Sequence, residues 1–152
     1  MEPEFQELYQ EIILDHNRSP RNFGPLENVT HVLEGRNPLC GDHYKIYILI
    51  EGDLVKDVHF EGSGCAISKA SASVMTTLLK GKKITEADLY FNIFHKLVTG
   101  EANPDEYMEK AAKIAAFAGV AEFPVRVKCA SLAWHTMHKA IHGHDGQVST
   151  EE

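Results

Sequence analysis

The chain contains three cysteines whose neighbours are typical of loops and turns. Cys40 and Asp42 are separated by one glycine, Cys65 follows a Gly-Ser-Gly sequence, and Cys129 precedes an apparent helix. Three thiolates and one carboxylate make a four-ligand set for a thiophilic metal, because soft sulfur donors select zinc or iron-sulfur chemistry over hard cations. We therefore expect Cys40, Asp42, Cys65 and Cys129 to converge on one metal site.

The elements around the cysteines bear on their reactivity. The pattern places Cys65 and Cys129 each at the start of a helix, where unpaired N–H groups and the helix dipole favour the thiolate. An extended segment is predicted from Phe123 to Lys128, which would put Arg126 and Lys128 on one face beside the site. Arg126 is the better candidate for a supporting cation, because its planar guanidinium can pair with anionic groups.

Simpler interpretations exist for the same residues. A free cysteine is often a small buried core residue, so each cysteine taken alone is open to that reading. His135, His138 and His142 share one face of the last helix, and we interpret them as surface residues near a helix C-terminus rather than as a second metal site. His43, next to Asp42, is considered as a spare ligand or as a group that orients a ligand.

Hydrophobic periodicity predicts the elements that must position these residues. A helix is expected from about Pro3 to about Asn17, and a small antiparallel sheet between Val29 and Phe60 with a hairpin turn at Gly52-Asp53. Four helices should follow. They are expected from Cys65 to Lys80, from a capping box at Thr85 to Asp88 as far as Gly100, from Asn103 to near Gly119, and from Cys129 to near Gly143.

Size and composition restrict the functional classes. The 152 residues, 43% of them hydrophobic, predict one domain over residues 1–143 with a polar flexible tail over 144–152. A formal charge of −7 argues against nucleic-acid binding. No apolar run is long enough to span a membrane, and the acidic N-terminus does not resemble a secretory signal, so a cytoplasmic location without membrane association is expected.

These motifs together resemble the U-type iron-sulfur cluster assembly proteins. The matching segments are Leu8-Tyr9, 12–16, 18–22, 37–42, 62–68 and 126–134. The SufU-like branch is closer than the IscU-like branch. Lys128 stands where IscU-like scaffolds carry histidine, and residues 85–100 correspond to the longer stretch typical of SufU-like chains.

The resemblance implies an α+β fold in which a three-stranded antiparallel sheet packs against helices. It also implies that Zn²⁺ is held by Cys40, Asp42, Cys65 and Cys129, and that sulfur is accepted from a SufS-like cysteine desulfurase. We assign the accepting role to Cys40, since a loop cysteine moves more easily than one at a helix start. Downstream iron-sulfur assembly proteins or apo-proteins would receive the product, and the chain would act as a zinc-dependent sulfurtransferase.

Three alternatives stay open from the sequence. The same residues could form a scaffold on which a [2Fe-2S] cluster is built on Cys40, Cys65 and Cys129 and then transferred. The site could be a structural zinc centre in an interaction module. A Cys/His hydrolase is a weaker third candidate, because no signature places a base beside a cysteine.

Overall fold

The computed structural model describes residues 3–143 and 147–149. Its helices and strands form an α+β fold, as the resemblance implies. The strands are β1 (His31–Asn37), β2 (Asp42–Glu51), β3 (Leu54–Ser63), β4 (Lys82–Lys83) and β5 (Gln147–Ser149). The helices are α1 (Pro3–Arg18), α2 (Ala66–Leu79), α3 (Ile84–Val98), α4 (Met108–Ala116) and α5 (Pro124–Ile141), with 3₁₀ turns at Pro104–Tyr107 and Phe117–Val120.

The sheet has the strand order β4-β3-β2-β1-β5. The three long strands are antiparallel, which confirms the predicted sheet, and Gly52 has a φ of 63° in the tight turn between β2 and β3. Two short edge strands add to it: β4 pairs antiparallel with β3, and β5 pairs parallel with β1. Strand β5 falls within the predicted tail, and the other tail residues lie outside the described part of the chain.

The helices cover one face of the sheet and enclose the core. Alternate residues of β2 point into it, and Tyr44, Ile46 and Ile48 are at most 1% exposed. The largest buried side chain is Trp134 of α5, which stacks on Phe94 of α3 with ring centroids 4.6 Å apart. None of the helices that the structure describes is long and apolar enough to cross a membrane.

A buried histidine joins the first two helices. His16 of α1 is 1% exposed, and its Nδ1 lies 2.6 Å from the Ser73 hydroxyl of α2. Burial lowers the pKa of His16 to about 4, because the charged imidazolium would lose its hydration there. The neutral ring therefore acts as a structural link between α1 and α2.

Helix α5 lies against β1 at a glycine. A Cβ atom on Gly35 would overlap the Thr136 hydroxyl and fall 3.1 Å from a methyl carbon of Leu132. The backbone of β1 and helix α5 therefore lie closer together than any side chain at position 35 would allow. This contact seats the helix that carries Cys129 directly on the strand that leads to Cys40.

Two predicted helix starts are wrong. Helix α3 begins at Ile84 rather than at Thr85, with Lys83 as its N-cap and the Glu86 carboxylate accepting from the Lys83 N–H at 3.2 Å. Segment 123–128 is not extended, since α5 begins at Pro124, a residue preorganised for the first helical position. Alternating valines gave this short segment the appearance of a strand, although Val125 is 52% exposed and only Val127 packs on the core.

Candidate metal centre

The carboxylate of Asp42 is fixed at the centre of the site. Asp42 is 2% exposed and opens β2 directly opposite Asn37, the last residue of β1. Its Oδ2 accepts from the Asn37 amide at 3.1 Å, and its Oδ1 accepts from the Cys65 N–H at 2.8 Å and from the Ser68 hydroxyl at 3.2 Å. A buried carboxylate is tolerated because it is hydrogen-bonded in this way. The three donors set its position before any ion binds.

Cys65 lies beside this carboxylate at the start of α2, as predicted. It is the N-cap residue, and its sulfur accepts from the Ser68 N–H at 3.4 Å. The preceding residue must be small: a Cβ on Gly64 would fall 2.5 Å from Asp42 Oδ1 and 2.6 Å from the Ser68 hydroxyl. Gly64 therefore allows the loop to pass over the carboxylate at close range.

Cys40 and Cys129 face each other across the site, with their sulfur atoms 3.4 Å apart. Cys40 is exposed on the turn between β1 and β2, whereas Cys129 is 3% exposed. The Asn37 amide that binds Asp42 also donates to the Cys129 sulfur, at 3.5 Å. One buried asparagine thus ties the acid and the buried thiol together.

The expectation that Cys129 ionises easily is wrong. Cys129 lies in the second turn of α5, not at its start, so it receives no unpaired N–H groups of the helix terminus. Burial raises the pKa of its thiol, and the hydrogen bond to Cys40 and the negative charges of Cys65 and Asp42 add to the shift. Cys129 needs a cation nearby to hold it as a thiolate.

Three of the four expected ligands converge. One ligand atom each from Cys40, Asp42 and Cys129 lies within 4.8 Å of the others. The Cys65 sulfur is not part of that group, but its charge acts on Cys129 and its N–H holds Asp42, so it borders the same space. Sulfur with a single carboxylate is a donor set that fits zinc or iron and does not fit hard cations.

Arg126 and Tyr9 border the site on its helical side. Arg126 lies one turn before Cys129 on α5, and its guanidinium is 4.6 Å from the Phe123 ring centroid. The Tyr9 hydroxyl is buried without a hydrogen-bond partner among the described residues. Burial raises the pKa of Tyr9, an effect that Arg126 opposes and the charges of Cys65 and Cys129 increase.

The helical conformation changes the predicted pairing of cations. Residues two apart on a helix do not face each other, so Arg126 and Lys128 do not share a face as the extended conformation would have required. Arg126 and Cys129, three residues apart, do lie on neighbouring positions.

His43 lies away from the centre of the site. It is exposed on the opposite face of β2 from Asp42, and its Nε2 lies 3.5 Å from a Glu34 carboxylate oxygen.

Sequence reasoning assigned no role to Asn37, Ser68 or Tyr44. The Tyr44 hydroxyl lies 3.0 Å from that of Ser68, and Tyr44 is 1% exposed. Ser68 could have been found, since it stands three residues after an N-cap, where side chains return to the helix start. Tyr44 shares the inner face of β2 with Asp42 by simple alternation. The role of Asn37 depends on strand register, which no local signal gives.

Residues 8–130 match the family described as the NifU-like N-terminal domain. The chain belongs to this family. It is 41% identical over 139 residues to the zinc-dependent sulfurtransferase SufU of Bacillus subtilis, covering 91% of this chain and 92% of that protein. It is also 39% identical over 134 residues to the iron-sulfur cluster assembly scaffold protein IscU of Streptococcus pyogenes, covering 88% of this chain and 82% of that one.

Solved structures of NifU-like proteins have the same fold. A putative iron-sulfur cluster assembly scaffold protein for the SUF system from Fervidobacterium islandicum aligns with a TM-score of 0.80 at 36% identity, covering 90% of this chain and 98% of that one. A NifU-like N-terminal domain from Brucella abortus aligns with a TM-score of 0.77 at 20% identity, which concerns the fold alone. Membership of the family confirms the resemblance drawn from the cysteine motifs.

Proposed function

We propose that this protein accepts persulfide sulfur from a SufS-like cysteine desulfurase at Cys40 and passes it on for iron-sulfur cluster assembly. The observation that carries the proposal is the contrast between an exposed Cys40 and the buried Cys129 and Asp42 beside it. The similarity to the Bacillus subtilis protein, which is named a zinc-dependent sulfurtransferase, supports the same reaction.

Cys40 is the thiol that a partner can reach. It lies on the turn between β1 and β2, next to Leu39, which is 59% exposed. Cys129 is 3% exposed, and the Cys65 sulfur is engaged at the α2 N-terminus. Attack on a persulfide requires a direct approach of the two sulfur atoms, so accessibility selects Cys40.

The reaction exchanges one sulfur–sulfur bond for another. The Cys40 thiolate attacks the terminal sulfur of the desulfurase persulfide, the S–S bond in the desulfurase breaks, and its cysteine leaves as a thiolate. A new S–S bond on Cys40 carries the transferred sulfur, so no external oxidant or reductant is needed. Arg126, three residues before Cys129 on α5, is the cation that we assign to support the anionic sulfur atoms.

Zinc bound by Cys40, Asp42, Cys65 and Cys129 would supply positive charge that keeps the thiols deprotonated. The protein's own contribution is to hold the acid and the two less accessible thiols in place. Asn37 and Ser68 orient Asp42, and Asn37 also orients Cys129. Cys40, on its turn, is the group that can leave this arrangement toward a partner.

Single-turnover sulfur transfer tests the proposal. Desulfurase carrying ³⁵S persulfide is mixed with the wild-type chain and with Cys40→Ser, Cys65→Ser and Cys129→Ser, and protein-bound label is measured on non-reducing gels. We expect Cys40→Ser to accept no label above background and the other two variants to retain some acceptance. Label on Cys40→Ser, with its loss in Cys65→Ser or Cys129→Ser, would move the accepting role to another cysteine.

A scaffold role is the second candidate, favoured by the relatives named as IscU scaffold proteins at 38–39% identity. In that case a [2Fe-2S] cluster is the cargo, held by Cys40, Cys65 and Cys129. Metal analysis and Mössbauer spectra of anaerobically purified protein separate the two roles. A structural zinc module would instead leave desulfurase turnover unchanged on adding the protein, and its metal would resist chelators until the chain unfolds.

A further inference from the structure

We propose that Asp88, His138 and His142 form a second metal site, on the protein surface, for a divalent first-row transition metal ion such as zinc or ferrous iron. His138 lies in the last turn of α5, His142 is the C-cap residue four positions later, and Asp88 lies on α3. Both imidazoles direct Nε2 at the same carboxylate oxygen, at 2.8 Å for His142 and 3.5 Å for His138. The three ligand atoms all lie within 4.8 Å of one another.

These separations are close to those that a bound ion requires. Metal–ligand bonds of about 2.0–2.1 Å in a tetrahedral site place neighbouring ligand atoms about 3.3–3.4 Å apart. The two observed nitrogen–oxygen distances fall on either side of that value. The side chains are 30% to 43% exposed, so small rotations can bring the atoms to the required spacing.

The cluster is also partly preorganised. The His138 ring stacks on Phe91 of α3, with ring centroids 4.0 Å apart and planes 11° from parallel. The His142 ring lies edge-on to the His138 ring, with centroids 4.7 Å apart. Phe91 thus limits the rotation of the first imidazole. Asn92, one turn after Asp88, lines the same open concavity and offers an amide oxygen.

The donor set identifies the class of ion. Two imidazoles and a carboxylate suit zinc, ferrous iron, cobalt or nickel, whereas calcium and magnesium prefer oxygen donors. The set contains no thiol, unlike the cysteine centre. His138 lies nine positions after Cys129, a distance of about 14 Å along α5, so the two sites are separate.

An ion here would join α3 to α5, which are far apart in sequence. Because it binds the folded chain and not a chain in which Asp88 and His138 have separated, binding must raise the stability of the fold. Lys139 lines the same concavity, and its positive charge opposes a cation. Removing that charge should tighten metal binding. If the cluster is only a histidine–carboxylate pairing, added metal should not change the stability of the fold.

The test uses the full chain already loaded with one equivalent of zinc at the cysteine centre. Cobalt(II) is then added, and bound metal is counted by equilibrium dialysis while the absorption spectrum is recorded. We expect a second equivalent to bind without new sulfur-to-metal charge-transfer bands and to raise the thermal midpoint. His138→Gln and His142→Gln should each weaken this binding by at least about tenfold and remove the rise, as loss of even an outer partner of a metal ligand costs about 10–100-fold.

Two control variants sharpen the result. His95→Gln removes an exposed histidine near the end of α3 that does not line the concavity, and it should leave the second equivalent unchanged. Lys139→Gln should bind cobalt more tightly than wild type. Binding of a single equivalent only, or a second equivalent that is insensitive to both histidine substitutions, would overturn the proposal. Because His142 is exposed, circular dichroism should show a folded His142→Gln variant.

Discussion

The two ends of helix α5 carry side chains suited to metal binding, but they are built differently. At the Cys129 end, the carboxylate is 2% exposed and held by three hydrogen-bond donors, and Asn37 beneath it is fully buried. At the His142 end, the carboxylate of Asp88 is 30% exposed and faces two partly exposed imidazoles. The buried carboxylate is therefore positioned by a surrounding polar network, whereas the exposed carboxylate is contacted by the two imidazoles themselves.

The largest effect expected from this difference concerns Asp42→Ala. Without the carboxylate, the Asn37 amide, the Cys65 N–H and the Ser68 hydroxyl lose a buried acceptor, so we expect about 3 kcal/mol of lost stability in the metal-free protein. Zinc affinity at the cysteine centre should fall by at least about 100-fold. Urea denaturation and competition with a chelator measure the two effects.

The matched control for Asp42→Ala is His43→Ala. His43 is the next residue but lies exposed on the other face of β2, so its removal should change stability by no more than about 0.5 kcal/mol. Equal effects of the two substitutions would contradict the idea that the buried network holds this end of α5.

A smaller effect is expected from Gly64→Ala. The added methyl group must displace the Asp42 and Ser68 oxygen atoms from within 2.6 Å, which should cost about 2 kcal/mol, as overpacking does elsewhere. Zinc affinity should fall by about tenfold because the carboxylate moves, a shift within the range caused by perturbing the partners of a ligand. Ser63→Ala, exposed and one residue earlier, is the control and should leave both quantities near the wild-type values.

The smallest effect is expected at the other end of the helix. Asp88→Asn should change the stability of the metal-free protein by less than about 0.5 kcal/mol, because exposed histidine–carboxylate pairs contribute little. Urea denaturation in the presence of a chelator measures this. A loss above about 1 kcal/mol would mean that Asp88 is part of a structural network comparable to that of Asp42.

Much of the fold could be predicted because its signals are local. The alternation of Tyr44, Ile46 and Ile48 identified a half-buried strand, and Gly52 marked the hairpin that pairs it with β3. The start of α5 could not be predicted in the same way. Val125 and Val127 alternate as a strand would over a short segment, and only packing of Val127 on the core decides in favour of the helix.

The candidate site, like the fold, could be predicted only where its sequence signals are local. Cysteines in glycine-rich contexts and the family resemblance were enough to nominate the sulfur and carboxylate groups. The bond from Asn37 to Cys129 joins residues 92 positions apart and depends on how β1, β2 and α5 come together. The buried state of Cys129, and hence its raised pKa, follows from that assembly and not from the residues beside it.

The close seat of α5 on Gly35 has a mechanical consequence for both ends of the helix. A side chain at position 35 would push on Thr136, midway between Cys129 and His142, and tilt the whole rod away from the sheet. The tilt would draw the Cys129 sulfur off the Asn37 amide at one end and shift the imidazoles relative to α3 at the other. The two clusters share no residue, yet the positions of both depend on the absence of a side chain at Gly35.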